Sequence, residues 1–130
     1  MEQTTNDMPL VLVAEDDESN YKLIRAIIGK RCRLEWGRTG EEVINLYHQH
    51  KDSALMILMD IKMPIMTGLE ATAKLRAEGC NLPIVVQTAY AFSSDRERAI
   101  EVGANQVLVK PITLMELRKS VKQYIPSVEW

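Results

Sequence analysis

Short apolar runs alternate with longer amphipathic stretches five times along the chain. Strands are predicted at residues 10–14 (LVLVA), 32–36 (CRLEW), 54–59 (ALMILM), 83–87 (PIVVQ) and 106–109 (QVLV). Three of these runs are almost wholly Val, Ile, Leu and Met, the composition of strands covered on both faces. Strands alternating with helical segments predict an α/β fold built on a parallel sheet. Right-handed crossovers then place helices on both faces of that sheet.

Polar positions mark where the helices begin. Thr39/Glu42, Thr67/Glu70, Ser94/Glu97 and Thr113/Glu116 each fit the Ser/Thr-x-x-Glu capping box, in phase with the strands. Gly29, Gly79 and Gly103 fall where helices should stop, each offering the left-handed residue of a helix end. The first helix, beginning near Ser19, carries Leu23, Ile24, Ile27 and Ile28 on one stripe. The last runs from about Thr113 to Ile125.

Composition narrows the classes of protein this can be. The 130 residues, 46% of them hydrophobic, suit one compact domain with a real core. A net charge of −2, from 18 acidic and 16 basic residues, provides no field that favours nucleic acid or an anionic membrane. The longest apolar run is far short of the roughly 20 residues a membrane-spanning helix needs. Cys32 and Cys80 stand apart, without metal-ligand spacing, and read as buried thiols in a reducing cytoplasm, with a disulfide between them as the alternative. Residues 1–8 are polar and read as a flexible N-terminus or linker, residues 9–126 as the domain, and residues 127–130 as a C-terminal tail.

The chemistry collects where the strands end. The first strand runs into Glu15-Asp16-Asp17, the third into Asp60, the fourth into Thr88-Ala89 and the fifth into Lys110-Pro111. In an open parallel sheet these ends share one edge, where such folds bind ligands. Two carboxylates about 4 Å apart repel by roughly 4 kcal/mol at an effective dielectric near 20. Either some of these acids hold protons or a cation sits among them. Mg²⁺ fits, because it takes one or two protein carboxylates together with waters and phosphate oxygens. Lys110, the Thr88 hydroxyl and the Ala89 N–H would clamp the oxygens of a phosphoryl group. The chain has neither Gly-x-x-x-x-Gly-Lys nor Gly-x-Gly-x-x-Gly, so a nucleotide phosphate is not the expected guest. Asp60 can itself accept the group, since carboxylates form aspartyl-phosphates.

Glu15-Asp16, Met59-Asp60-Ile61-Lys62-Met63-Pro64 with Thr67-Gly68, Thr88-Ala89 and Lys110-Pro111 together resemble the receiver domain of two-component response regulators, from roughly Pro9 to Ile125. The resemblance implies a flavodoxin-like sheet of five parallel strands, order 2-1-3-4-5, flanked by five helices in a three-layer sandwich. It implies that Asp60 is the phosphoacceptor and that Asp16, Asp60 and the Lys62 carbonyl hold Mg²⁺, with Glu15 acting through water. Thr88 and Lys110 would contact the phosphoryl oxygens. The donor would be a phosphohistidine on a histidine kinase or histidine phosphotransfer partner, with the receiver supplying the catalysis. Any kinase activity would lie outside this segment.

Other family traits are carried only in part. Receivers often have Tyr or Phe three residues before the lysine, where this chain has Val107, so a readout through the fourth helix, fifth strand and fifth helix would take an altered form. Lys62 and Tyr90 resemble positions that tune phosphoryl lifetime, with bulky Tyr90 shielding the site from water. The Lys110-Pro111 bond resembles one that is commonly cis in the family. Features of AEDDESN and ITLMEL resemble receivers attached to hybrid sensor kinases. Dimerisation on phosphorylation stays open. The alternatives are an aspartyl-phosphate-type phosphatase, which usually has a second acid where Lys62 stands, and a pseudo-receiver that only binds partners. Asp17 reads as a cap of the first helix or as a neighbour of the metal, and His48 and His50 as a solvated helix end.

Overall fold

The computed structural model describes residues 8–90 and 94–130. Residues 1–7, read above as part of a flexible N-terminus or linker, and residues 91–93 lie outside the described residues. Five strands and five helices alternate: β1 Leu10–Ala14, α1 Glu18–Ile28, β2 Arg33–Gly37, α2 Gly40–His50, β3 Ala54–Asp60, α3 Gly68–Ala77, β4 Ile84–Thr88, α4 Asp95–Glu101, β5 Gln106–Val109 and α5 Leu114–Tyr124. The strands form one parallel sheet in the order β2-β1-β3-β4-β5, as expected.

Two apolar clusters cover the sheet. On one face Leu12, Ile57, Met59 and Val86 pack with Val43 of α2, Leu75 of α3 and Ala99 of α4. On the other, Val11, Val13, Met56, Leu58 and Val85 pack with Ile24 and Ile28 of α1 and with Leu117 and Val121 of α5. Successive β3 residues alternate between the clusters, and Met56 to Met59 have no exposed surface. Burial on both faces is why this strand is an unbroken apolar run. At its start the pairing with β1 slips, from Leu10↔Ala54 to Val11↔Met56, and Leu55 is left 44% exposed.

Three of the four predicted caps form. The hydroxyls of Thr39, Thr67 and Thr113 accept from the backbone N–H groups of Glu42, Glu70 and Glu116, and Thr67/Glu70 closes the reciprocal box. Ser94 makes no side-chain cap bond, because its own backbone is already helical at φ −66° and ψ −8°. Asp17 caps α1, its Oδ1 accepting from Ser19 N at 2.9 Å. Gly79 and Gly103 adopt φ of +92° and +110°, but Gly29 sits at −67° with its N–H still bonded to the Arg25 carbonyl. The buried stripe of α1 is Tyr21, Ile24, Ile27 and Ile28; Leu23 is 48% exposed.

The edge of the sheet where β4 and β5 begin is tied together by Arg76 of α3. Its guanidinium donates to the carbonyls of Gly103, Cys80 and Leu82 and to Asn105 Oδ1, at 2.8–3.0 Å. Residues 127–130 fold back on α5: Val128 is buried, Lys122 Nζ donates to its carbonyl at 2.7 Å, and Trp130 Nε1 donates to Arg118 O at 3.0 Å. Both cysteines are free and buried, and burial pushes the Cys32 thiol up to about 11. No helix among the described residues is long and apolar enough to cross a membrane.

Candidate functional site

Sheet register brings the chemistry together. Ala14 pairs with Met59, Asp60 with Gln87 and Thr88 with Val109, so the residues at and beyond these strand ends surround one hollow. Glu15, Asp16, Asp17, Asp60, Ile61, Lys62, Thr88, Ala89 and Lys110 line this cavity of about 310 Å³. Every metal and phosphoryl-clamp residue expected from the sequence therefore lies on its wall. Val107 does not: it points into the cluster beneath α3 and α4 and is 8% exposed.

The centre is a triad of charge. Lys110 Nζ stands 3.2 Å from Asp60 Oδ2 and 3.4 Å from Glu15 Oε1. Asp60 is 5% exposed and Glu15 is fully buried. One carboxylate oxygen each from Glu15, Asp16 and Asp60 lies within 4.8 Å of the others. Burial, a hydrogen bond shared with Glu15 and the Glu15 charge push the Asp60 carboxyl up to about 7, against the opposing pull of Lys110. Burial works against the Lys110 ammonium too, but Asp60 and Glu15 outweigh it and raise its pKa. Oxygen donors crowded this closely, with one of them raised toward neutrality, suit a small hard cation; the donor set fits Mg²⁺.

Local backbone structure holds these groups in place. Asp60 closes β3, and the Ile61 N–H continues the ladder to the Gln87 carbonyl at 3.1 Å. The chain then turns through Ile65, at φ +72°, with Met66 N bonded to Pro64 O at 2.7 Å. Gly68 brings α3 back against the strand: a Cβ built there would meet Asp60 O at 2.0 Å, so only glycine fits. Thr88 Oγ1 accepts from Tyr90 N at 3.1 Å, and Lys110 N donates to Thr88 O at 2.7 Å. The Lys110-Pro111 bond is cis. At the rim, Lys62 Nζ donates to the Tyr90 hydroxyl at 3.2 Å and lies 4.3 Å from the ring centroid.

Two further residues take part that the sequence did not single out. The Asn20 amide donates to Glu15 Oε1, and the Trp36 indole donates to the Glu15 carbonyl at 2.7 Å. Asn20 sits on the first turns of a helix that starts at the acidic loop, which is a readable signal; Trp36 comes from β2 and carries none. Beside the site, the Gln87 side chain is fully buried and neither its oxygen nor its nitrogen has a hydrogen-bond partner among the described residues. His48 and His50 are remote from the cavity, and His48 Nε2 meets Glu78 Oε2 at 2.7 Å.

A parallel sheet with its acids, hydroxyl and lysine at one edge defines a class, and the sequence matches that class directly. Residues 11–122 match the response regulator receiver domain family. The chain belongs to this family, the receiver domains of two-component signalling. It is 34% identical over 119 residues to the polar-differentiation response regulator DivK of Brucella anthropi, covering 88% of this chain and 94% of that protein. It is 40% identical over 110 residues to hybrid signal transduction histidine kinase I of Dictyostelium discoideum, covering 78% of this chain but 6% of the kinase. Among solved structures, the receiver domain of a Pseudomonas aeruginosa sensor histidine kinase, with magnesium ion coordinated in its active-site cleft, superposes with a TM-score of 0.79. That domain is 29% identical, and the match covers 92% of this chain and 99% of the other.

Proposed function

We propose that this chain is a phosphorylation switch in which Asp60 accepts a phosphoryl group from a phosphohistidine on a histidine kinase or histidine phosphotransfer partner. One observation carries the reading: a buried carboxylate stands 3.2 Å from a lysine ammonium, within a ring of acids, on the wall of a cavity large enough for a phosphoryl group.

In the transfer, an Asp60 oxygen bonds to phosphorus while the P–N bond breaks. Its electron pair stays on the departing imidazole, which takes a proton from water. Asp16, Asp60 and the Lys62 carbonyl would hold Mg²⁺, with Glu15 acting through water. Held there, the ion would supply positive charge against the phosphoryl oxygens. Lys110, already aimed at Asp60, supplies a second positive charge and becomes the counter-ion of a phosphoryl oxygen. The Thr88 hydroxyl and the Ala89 N–H donate to the remaining oxygens. No deprotonation of Lys110 is needed, and in the resting site the Asp60 and Glu15 carboxylates favour its charged form.

Intact mass after incubation with acetyl phosphate and Mg²⁺ tests the reading. One phosphoryl adduct on the wild type and none on Asp60→Asn is the expected result. An adduct that survives the substitution would remove Asp60 as the acceptor, and steady turnover of a small phosphoester would make the chain a phosphatase instead.

A further inference from the structure

Behind the acidic loop runs a column of stacked side chains that joins α1 to the edge strand β2. The Trp36 indole lies face to face with the Tyr21 ring, centroids 4.1 Å apart and planes at 4°. The Arg38 guanidinium lies over the Trp36 ring at 4.2 Å, and that of Arg25 over the Tyr21 ring at 6.0 Å. Stacks of this kind hold a ring to one orientation. Here the orientation aims the indole N–H at the backbone carbonyl of Glu15, 2.7 Å away.

That carbonyl occupies a particular place. The ladder between β1 and β2 ends at Ala14↔Gly37, and beyond it the Glu15 N–H donates to the Gly37 carbonyl at 2.9 Å. The next acceptor, the Glu15 carbonyl, would pass the end of the sheet without a strand to meet it; Trp36 meets it instead. Glu15 is therefore gripped at both its N–H and its C=O by adjacent residues of β2. Because the peptide unit is planar, holding the Glu15 carbonyl also sets the direction in which the Asp16 Cα leaves. Asp16 itself is exposed and lines the cavity.

We infer that Trp36 is a positioning residue for the cation cradle: its indole N–H locks the Glu15–Asp16 peptide and thereby presents the Asp16 carboxylate to the ion beside Asp60. This rests on the functional reading above for the ion itself. The edge strand thus contributes to the site without supplying a residue to its wall.

The test is a Mg²⁺ titration followed in ¹H–¹⁵N spectra, comparing wild type with Trp36→Phe. Phenylalanine keeps a ring in the stack and removes the donor. Loss of one such hydrogen bond is expected to weaken Mg²⁺ binding about fivefold. In the wild type, the Trp36 indole resonance is expected to move as Mg²⁺ is added. The Trp130 indole, bonded to Arg118 O on α5, is expected to stay, and Trp130→Phe tells the two resonances apart. The indole measurement needs no change at Trp36, so it stands even if the variant folds poorly. Unchanged affinity in Trp36→Phe, or a Trp36 indole that stays fixed while the Asp16 amide shifts, overturns the inference alone. A wild type that binds no Mg²⁺ overturns the functional reading and the inference together, and shows itself before any variant is compared.

Discussion

Replacing Asp60 with Asn removes a carboxylate whose proton affinity folding raises, and the consequence for stability has a definite sign. In the folded protein Asp60 titrates at about 7, against an ordinary value of 3.8. The native state therefore binds a proton more tightly than the unfolded chain, and native stability falls as pH rises through this interval. At about 1.4 kcal/mol per unit, the gap corresponds to up to ~4 kcal/mol of destabilisation above the folded value. Asp60→Asn has no such proton to lose. Urea unfolding in EDTA is expected to show the variant more stable than wild type at about pH 8, with the advantage shrinking toward about pH 4. Taking the difference between the two proteins cancels the carboxylates they share. Mg²⁺ is expected to stabilise the wild type more than the variant, because the ion relieves the crowding that the substitution also relieves. Parallel stability curves for the two proteins in EDTA across this pH range would refute the account of Asp60 as a charge held against its preference.

Three other substitutions probe the surroundings. Tyr90→Ala removes the ring and hydroxyl that engage Lys62 at the rim, and the phosphorylated domain is expected to lose its phosphoryl group several-fold faster; an unchanged half-life by intact mass would dismiss Tyr90 as a shield. Gly68→Ala drives a methyl to 2.0 Å from the Asp60 carbonyl, so adduct formation is expected to drop sharply and stability to fall by about 1–3 kcal/mol in urea unfolding; normal phosphorylation would show that the loop yields. Gln87→Met keeps the volume and removes two unpartnered polar atoms, and is expected to raise stability by about 1–3 kcal/mol; a loss of stability would mean the amide is satisfied in solution.

Much of this architecture can be read from the chain because each layer leaves its own mark. β3 is apolar without a break because both faces are covered, and the acids stand out because they interrupt such runs at the ends. Thr39, Thr67 and Thr113 cap because the backbone before each helix is extended, which aims the hydroxyl at the first turn. Ser94 has the same pattern but enters α4 already helical, a difference of backbone angle that its spelling does not carry. Gly29 likewise ends α1 in right-handed geometry, so its glycine supplies no left-handed turn there. Leu23 fits the stripe by spacing, yet it falls just outside the arc of Tyr21, Ile24, Ile27 and Ile28 that the helix buries, and it is 48% exposed. Trp36 leaves no local mark for another reason: its partner lies 21 residues back, across a strand pair, and only register brings them together.

Arg76 gives the domain two unlike ends. At the edge where β4 and β5 begin, one guanidinium spans four acceptors and draws α3 and both strand starts together. At the opposite edge, like charges are pressed together and a buried carboxylate is held above its ordinary pKa. Strain and reinforcement are thus segregated along the strand direction, with the full length of the sheet between them. A charge added or removed at the acidic edge therefore acts on the part of the sheet that Arg76 does not brace.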